Sequence, residues 1–294
     1  MARIIAGSNT EKLAEEIASL SGIRKSGKAC KRFPDGELYV KLEGGRLSGE
    51  KVFILQSLYP RQDECLMELF LTIDAVKRNG GRPYAVIPYF AYARQDKVFL
   101  EGEALSLEAI GKILRALGTE GIVTVDAHFR RKEGAFSFFG IPAVNLSAAK
   151  LLFEHAKEVS LGVPFMVAGP DAGSGEFLSP FRDALFMDKS KLFREGRDLR
   201  EYEVVIKIPE GLSGKKVLLL DDIVSSGSTI LEAAGALKAR KCSVMVGCVH
   251  GLFIGDSLKK IGKIADYVFC TDTVESEATK VSVAKLIAKE ISRM

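Results

Sequence analysis

Cysteine gives this sequence little to work with. The five present, Cys30, Cys65, Cys242, Cys248 and Cys270, are odd in number, form no C-x-x-C pair and show no metal-site spacing, so they read as reduced core thiols. An excess of charge of one sign is also lacking. Lys and Arg number 42 against 38 Asp and Glu, and the resulting +4 is too small to imply a nucleic-acid partner, although it suits small anionic ligands. No low-complexity tract or Pro-rich linker interrupts the chain. The apolar part of Met1 to Gly7 is far too short to span a membrane and reads as a first strand rather than a signal peptide, which predicts a cytoplasmic protein with no membrane partner. No G-x-x-x-x-G-K-[S/T] run is present, which excludes the common nucleotide phosphate loop.

What is present is a regular alternation. Apolar runs at Arg3 to Ala6, Val52 to Gln56, Tyr84 to Ile87, Ile122 to Val125, Phe165 to Ala168, Val217 to Leu220 and Val244 to Val249 read as strands. Helical patterns fall between them at Thr10 to Leu20, Glu64 to Arg78, Ser106 to Leu117, Ser147 to Glu158, Thr229 to Ala239 and Val281 to Ile291. Alternation of this kind argues for parallel βαβ units. The segment Glu64 to Arg78 is apolar on much of its circumference and stops at Asn79-Gly80-Gly81, so it should be buried against a sheet or a neighbouring subunit. With 294 residues, 47% of them hydrophobic, the chain suits one large or two ordinary globular domains. Its halves echo each other weakly, each with a strand leading into a charged turn, Thr124-Val125-Asp126-Ala127-His128 and Leu219-Leu220-Asp221-Asp222. The expectation is an α/β protein of two similar domains, residues 1–145 and 146–294, each with a mainly parallel sheet flanked by helices, the C-terminal helix being free to pack back on the first.

The stretch from Val217 to Ile230 carries most chemical information. Four apolar residues read as a buried strand, Asp221 and Asp222 stand at its carboxyl end, and Ser225-Ser226-Gly227-Ser228-Thr229 opens a helix. Ligands of open α/β sheets bind at that end of the strands. Backbone N–H groups of the turn and helix start can cradle a phosphate, helped by the hydroxyls. Two carboxylates would repel a phosphate, so they need another task, either the vicinal hydroxyls of a sugar or a divalent cation. The bland alternative is a capped turn.

Other segments are ambiguous alone. Phe33-Pro34-Asp35-Gly36-Glu37 reads as an exposed hairpin or loop with solvated acids. Pro88 to Lys97 mixes three aromatics with Arg94, Gln95 and Lys97, which suits either a packed aromatic loop or a base-stacking, phosphate-contacting one. Met187 to Lys191, ahead of the charged segment Arg194 to Glu203, reads as a solvated loop. His128 beside Asp126 is either structural or a metal ligand. Neither His155 nor His250 is given a catalytic role.

Taken together and in order, these segments resemble the ribose-phosphate pyrophosphokinase family. Phe33 to Glu37, Leu66-Met67-Glu68-Leu69, Ile87 to Lys97, Thr124 to His128, Phe138 to Pro142, Gly169-Pro170-Asp171-Ala172-Gly173, the Asp221 to Thr229 loop, Val249 to Phe253 and Thr271-Asp272-Thr273 carry the likeness across nearly the whole chain. The resemblance implies two phosphoribosyltransferase-like domains and an enzyme that makes 5-phosphoribosyl 1-pyrophosphate and AMP from ATP and ribose 5-phosphate, with Mg2+ as cofactor. It places Phe33, Asp35, Gly36, Glu37, Arg94 and Gln95 at ATP, in a site shared between the subunits of a homo-oligomer. It places Lys191, Asp221, Asp222, Ser225, Ser226, Gly227, Ser228 and Thr229 at ribose 5-phosphate. It makes Lys189 and Lys191 catalytic, and His128 and Asp171 metal ligands.

The sequence also departs from that pattern. Lys191 stands where arginine is usual, Ser225 where many members carry aspartate, and Gly140 and Val144 where many carry acids. A nucleobase phosphoribosyltransferase would share the Asp221 to Thr229 loop but would not need the Phe33 to Glu37 and Arg94-Gln95 elements. A catalytically silent regulatory subunit would not need to retain Lys189, His128, Asp171 and both loop acids.

Overall fold

The computed structural model describes residues 2–98, 100–130, 132–193, 202–209 and 211–294, with backbone alone for Asp188–Phe193 and Tyr202–Lys207. It divides into two compact units, residues 1–148 together with 282–294, and residues 149–281.

The first unit runs β1 (Ala2–Ala6), α1 (Glu11–Ser21), β2 (Arg24–Ser26), β3 (Lys28–Arg32), β4 (Leu38–Leu42), β5 (Lys51–Leu55), α2 (Gln62–Arg78), β6 (Arg82–Ile87), α3 (Ser106–Ala116), β7 (Gly121–Val125), β8 (Gly134–Phe138) and β9 (Ile141–Leu146). Its seven-stranded sheet has the order β2-β1-β5-β6-β7-β9-β8, parallel throughout except for β8 against β9. Central strands such as β7 are buried along their whole length, which explains their unbroken apolar runs. Strands β3 and β4 form a separate antiparallel hairpin whose tip is Phe33 to Glu37.

The second unit runs α4 (Ala149–Val159), β10 (Met166–Gly169), β11 (Leu185–Phe186), β12 (Asp188–Phe193), β13 (Tyr202–Lys207), β14 (Lys216–Val224), α5 (Ser228–Ala239), β15 (Ser243–Gly251), α6 (Ser257–Ile264), β16 (Tyr267–Thr271) and β17 (Thr279–Val281). A parallel sheet of order β11-β10-β14-β15-β16-β17 forms its centre, and β12 pairs antiparallel with β13. Val217, Leu219, Val244, Val246 and Ala233 are wholly buried in its core. Helix α7 (Ala284–Ile291) then returns to the first unit. Ala284, Ile287, Ala288 and Ile291, spaced for one helix face, are buried, and α7 packs on α1. Each fully buried isoleucine there contributes about 1.5–3 kcal/mol.

One detail differs from expectation. Strand β14 does not stop at Leu220; it continues through the acids to Val224, with Asp221 opposite Cys248 and Ile223 opposite His250. Buried Ile223 and Val224 and the equally long β15 supply the apolar contacts and ladder partners that carry the acids into the sheet. Helix α2 buries one face, Cys65, Leu66, Glu68, Leu69, Thr72, Ile73 and Val76, against β4, β5 and β6, while Met67 on its outer side is 50% exposed.

Candidate active site

In the second unit, β14 delivers Asp221 and Asp222, and residues 225–227 turn the chain into α5. The turn closes on Gly227, whose φ of +76° is left-handed and favours glycine. No side chain caps α5, so its first-turn amides face outward with the helix dipole behind them, a setting worth about 0.3–1 kcal/mol to a bound anion. Ser226 and Ser228 stand exposed beside it, their hydroxyl oxygens 3.4 Å apart. The segment after β15 braces this loop. Ser225 O accepts from Ile254 N at 3.0 Å and from the Ser257 hydroxyl at 3.3 Å, and Val224 O accepts from Leu252 N at 2.9 Å.

The acids face a different task. Burial, together with the charges of Asp222 and Asp171, pushes the Asp221 carboxyl well above the usual carboxylate range, against hydrogen bonds from Asp222 N at 3.0 Å and the Ser174 hydroxyl at 3.3 Å. Asp171 lies in the turn after β10, where its Oδ1 accepts from Gly173 N at 2.7 Å. Three carboxylates from two strand ends therefore repel one another where sugar hydroxyls or a divalent cation would relieve them. Among the described residues, no group of three or more His, Cys, Asp or Glu is arranged to hold a metal ion. The hard oxygens of Asp171 nonetheless suit magnesium, which keeps several of its own waters rather than filling a closed protein cage. Lys189 and Lys191 fall on β12, opposite Ile206 and Val204; their side chains lie outside the described residues.

In the first unit, the β3–β4 hairpin presents Phe33, Asp35, Gly36 and Glu37 on an exposed tip. The tip is ordered by local bonds: Glu37 N donates to Asp35 Oδ1 at 3.1 Å, Arg32 Nη1 to Gly36 O at 2.6 Å, and Gly36 takes a φ of +96°. Phe33 meets Tyr39 edge to face at 5.6 Å. After β6, Arg94 is exposed and Gln95 half-buried, with Gln95 Oε1 accepting from the Ser106 hydroxyl at 2.8 Å. Of the three aromatics in this segment, Tyr89 and Phe90 belong to the core, Phe90 packing on Phe129 and Phe138. Tyr92 alone is exposed, and its hydroxyl bonds to Asp63 at the start of α2. The packed-loop reading thus holds for two of the three rings. His128 is half-buried just past β7, and neighbouring Asp126 accepts from Ala148 N at 2.7 Å.

The hairpin tip, Arg94, Gln95 and His128 all belong to the first unit, and Asp171, Asp221, Asp222 and the 225–229 loop to the second. Sequence reasoning missed Ser174 and Ser106, each one hydrogen bond behind a singled-out side chain.

A parallel sheet that ends in paired acids and an uncapped helix start defines a phosphoribosyl-binding α/β protein. The chain is 36% identical to the ribose-phosphate pyrophosphokinase of Methanothermobacter thermautotrophicus over 97% of its own length and 98% of that protein's. It belongs to the ribose-phosphate pyrophosphokinase family. The N-terminal domain model of ribose phosphate pyrophosphokinase matches residues 2–118, and the phosphoribosyl transferase domain model matches residues 142–285. The Sulfurisphaera tokodaii ribose-phosphate pyrophosphokinase is 34% identical over 98% of this chain and 99% of its own. Among solved structures, the phosphoribosylpyrophosphate synthetase from Mycobacterium smegmatis is similar with a TM-score of 0.83 and 26% identity, over 99% of this chain and 97% of that one.

Proposed function

We propose that this chain transfers the β,γ-diphosphoryl group of ATP to the C1 hydroxyl of ribose 5-phosphate. The anomeric oxygen attacks the β-phosphorus, the bond from that phosphorus to the α,β-bridging oxygen breaks, AMP leaves with the bridging oxygen, and the hydroxyl proton is released. The observation that carries this reading is the presence, in a member of this family, of half-buried Asp221 at the strand end that leads into the uncapped start of α5.

In this reading Ser225, Ser226, Gly227, Ser228 and Thr229 hold the 5-phosphate, while Asp221 and Asp222 accept from the ribose hydroxyls and aim the sugar. Phosphoryl transfer of this kind depends chiefly on alignment and on cations facing the developing charge. Lys189 supplies such a cation, and Lys191, lacking the bidentate fork of arginine, supplies a point charge toward ribose 5-phosphate. Phe33, Asp35, Gly36, Glu37, Arg94 and Gln95 hold ATP in place of the absent phosphate loop. His128 would hold one magnesium ion and Asp171 a second, and such ions when bound neutralise charge on the polyphosphate. The chain works as a homo-oligomer in which the hairpin of one subunit serves a neighbour's nucleotide. No described helix is long and apolar enough to cross a membrane.

The test is direct. Purified protein given ATP, ribose 5-phosphate and Mg2+ should release AMP and carry the diphosphate on C1 of the sugar, read by phosphorus NMR. Hydrolysis of ATP without that sugar product would overturn the reading.

A further inference from the structure

Lys28 opens β3, and its ammonium bonds to Ala6 O at 2.8 Å and to the Glu68 carboxylate of α2. Glu68 also accepts from Ser8 N at 2.9 Å and from the Ser8 hydroxyl at 2.7 Å. Both charged side chains are only 5% exposed. Removing two charges from water is costly, and a well-packed apolar pair of similar volume often does as well for stability. A buried pair this fully bonded is better suited to fixing geometry.

The geometry it fixes is that of the hairpin. Lys28, Cys30 and Arg32 alternate along β3 and so share one face. Arg32 Nη2 meets Glu64 Oε2 at 2.6 Å, one helical turn before Glu68, in a far more exposed pair. Two ionic rungs thus tie one strand face to one helix face, and a slip of one residue would turn both cations away from α2. Packing does not do this job alone. Beside the inner rung lies a cavity of about 270 Å³ lined by Ser8, Cys30, Arg61 and Cys65 among others, and beside the outer one a space of about 450 Å³ reaching Glu37, Asp63, Met67 and Leu71.

We propose that Lys28 and Glu68 are positioning residues for the nucleotide: their buried pair sets the register of the hairpin on α2 and so holds Asp35, Gly36 and Glu37 where they meet ATP. The proposal rests on the nucleotide reading of the hairpin given above. Glu68→Gln keeps the side-chain shape and removes the charge. It should raise KM for ATP about tenfold and leave kcat and KM for ribose 5-phosphate within about twofold. Amides of residues 28–42 should exchange hydrogen faster while those of β5 and β6 do not change. Should the single variant fold poorly, Lys28→Met/Glu68→Met replaces the pair by apolar side chains, and it should fold and still show the raised KM for ATP. Glu37→Ala separates the two ideas. If Glu37→Ala raises KM for ATP but neither pair variant does, the positioning role is overturned and the nucleotide reading stands. If Glu37→Ala leaves KM for ATP unchanged, the nucleotide reading of the hairpin fails and the proposal falls with it.

Discussion

A Cβ built on Gly227 would stand 3.0 Å from Cδ1 of Ile261, tying the turn that opens α5 to the flank of α6. The contact is tighter than side chains ordinarily tolerate, and the left-handed backbone already disfavours any other residue. Gly227→Ala should therefore cost about 1–2 kcal/mol of stability. Because the same shift moves the amides offered to the 5-phosphate, KM for ribose 5-phosphate should rise while KM for ATP holds. Thermal denaturation and a two-substrate kinetic analysis would read the two effects separately.

Asp221 sets function against stability. Its carboxyl is raised in the folded protein, chiefly by burial and then by Asp222 and Asp171. Between the unfolded and folded pKa values the folded protein holds a proton that the unfolded chain has lost, so stability falls as pH climbs through that window. Asp221→Asn should remove this loss. The ligand-free variant should melt higher than the parent above the folded pKa and match it at low pH, while its affinity for ribose 5-phosphate drops. Equal melting temperatures at neutral pH would contradict the assignment.

Ser174 offers a finer probe of the same carboxylate. Its hydroxyl favours the ionised form of Asp221, so Ser174→Ala should push that carboxyl higher still. The acid limb of kcat/KM for ribose 5-phosphate should then move to higher pH, with the neutral plateau little affected.

Lys189→Ala tests the charge assigned to β12. Loss of one preorganised cation at a phosphoryl group should lower kcat by about 10²–10³. Isothermal titration should find ATP bound nearly as well as before.

Thiol chemistry should single out one residue. Cys30 is exposed and the other four cysteines are buried. Although the residue is exposed, partial shielding of its sulfur and the charge of Glu68 raise the Cys30 thiol, so the native protein should titrate one thiol, slowly at neutral pH and faster in alkali, and Cys30→Ser should abolish it.

The parts of the fold that the sequence made legible are those written by local periodicity. The apolar run from Val52 to Gln56 reads as a strand, and β5, Lys51–Leu55, is that strand, shifted by one residue at each end. Edge strands β2 and β17 escaped notice because three residues such as Arg24-Lys25-Ser26 carry no apolar run. The continuation of β14 through two aspartates was hidden because Asp disfavours strands, and only the partner strand β15 compensates. Within the candidate site, the serine-rich loop was visible as a string. Ser174 was not, since its partner Asp221 lies 47 residues away, and the Lys28–Glu68 pair spans 40. Tyr89 and Phe90 show the reverse difficulty, for rings that suit stacking on a base are equally suited to a core.

The return of α7 to the first unit makes that unit discontinuous along the chain, whereas residues 149–281 are contiguous. On the ribosome, the second unit has all of its strands before the first has all of its helices. Until residues 282–294 emerge, α1 lacks the helix that packs on it in the finished fold. A chain truncated just before Ser282 and released should accordingly expose α1 to protease while residues 149–281 resist it.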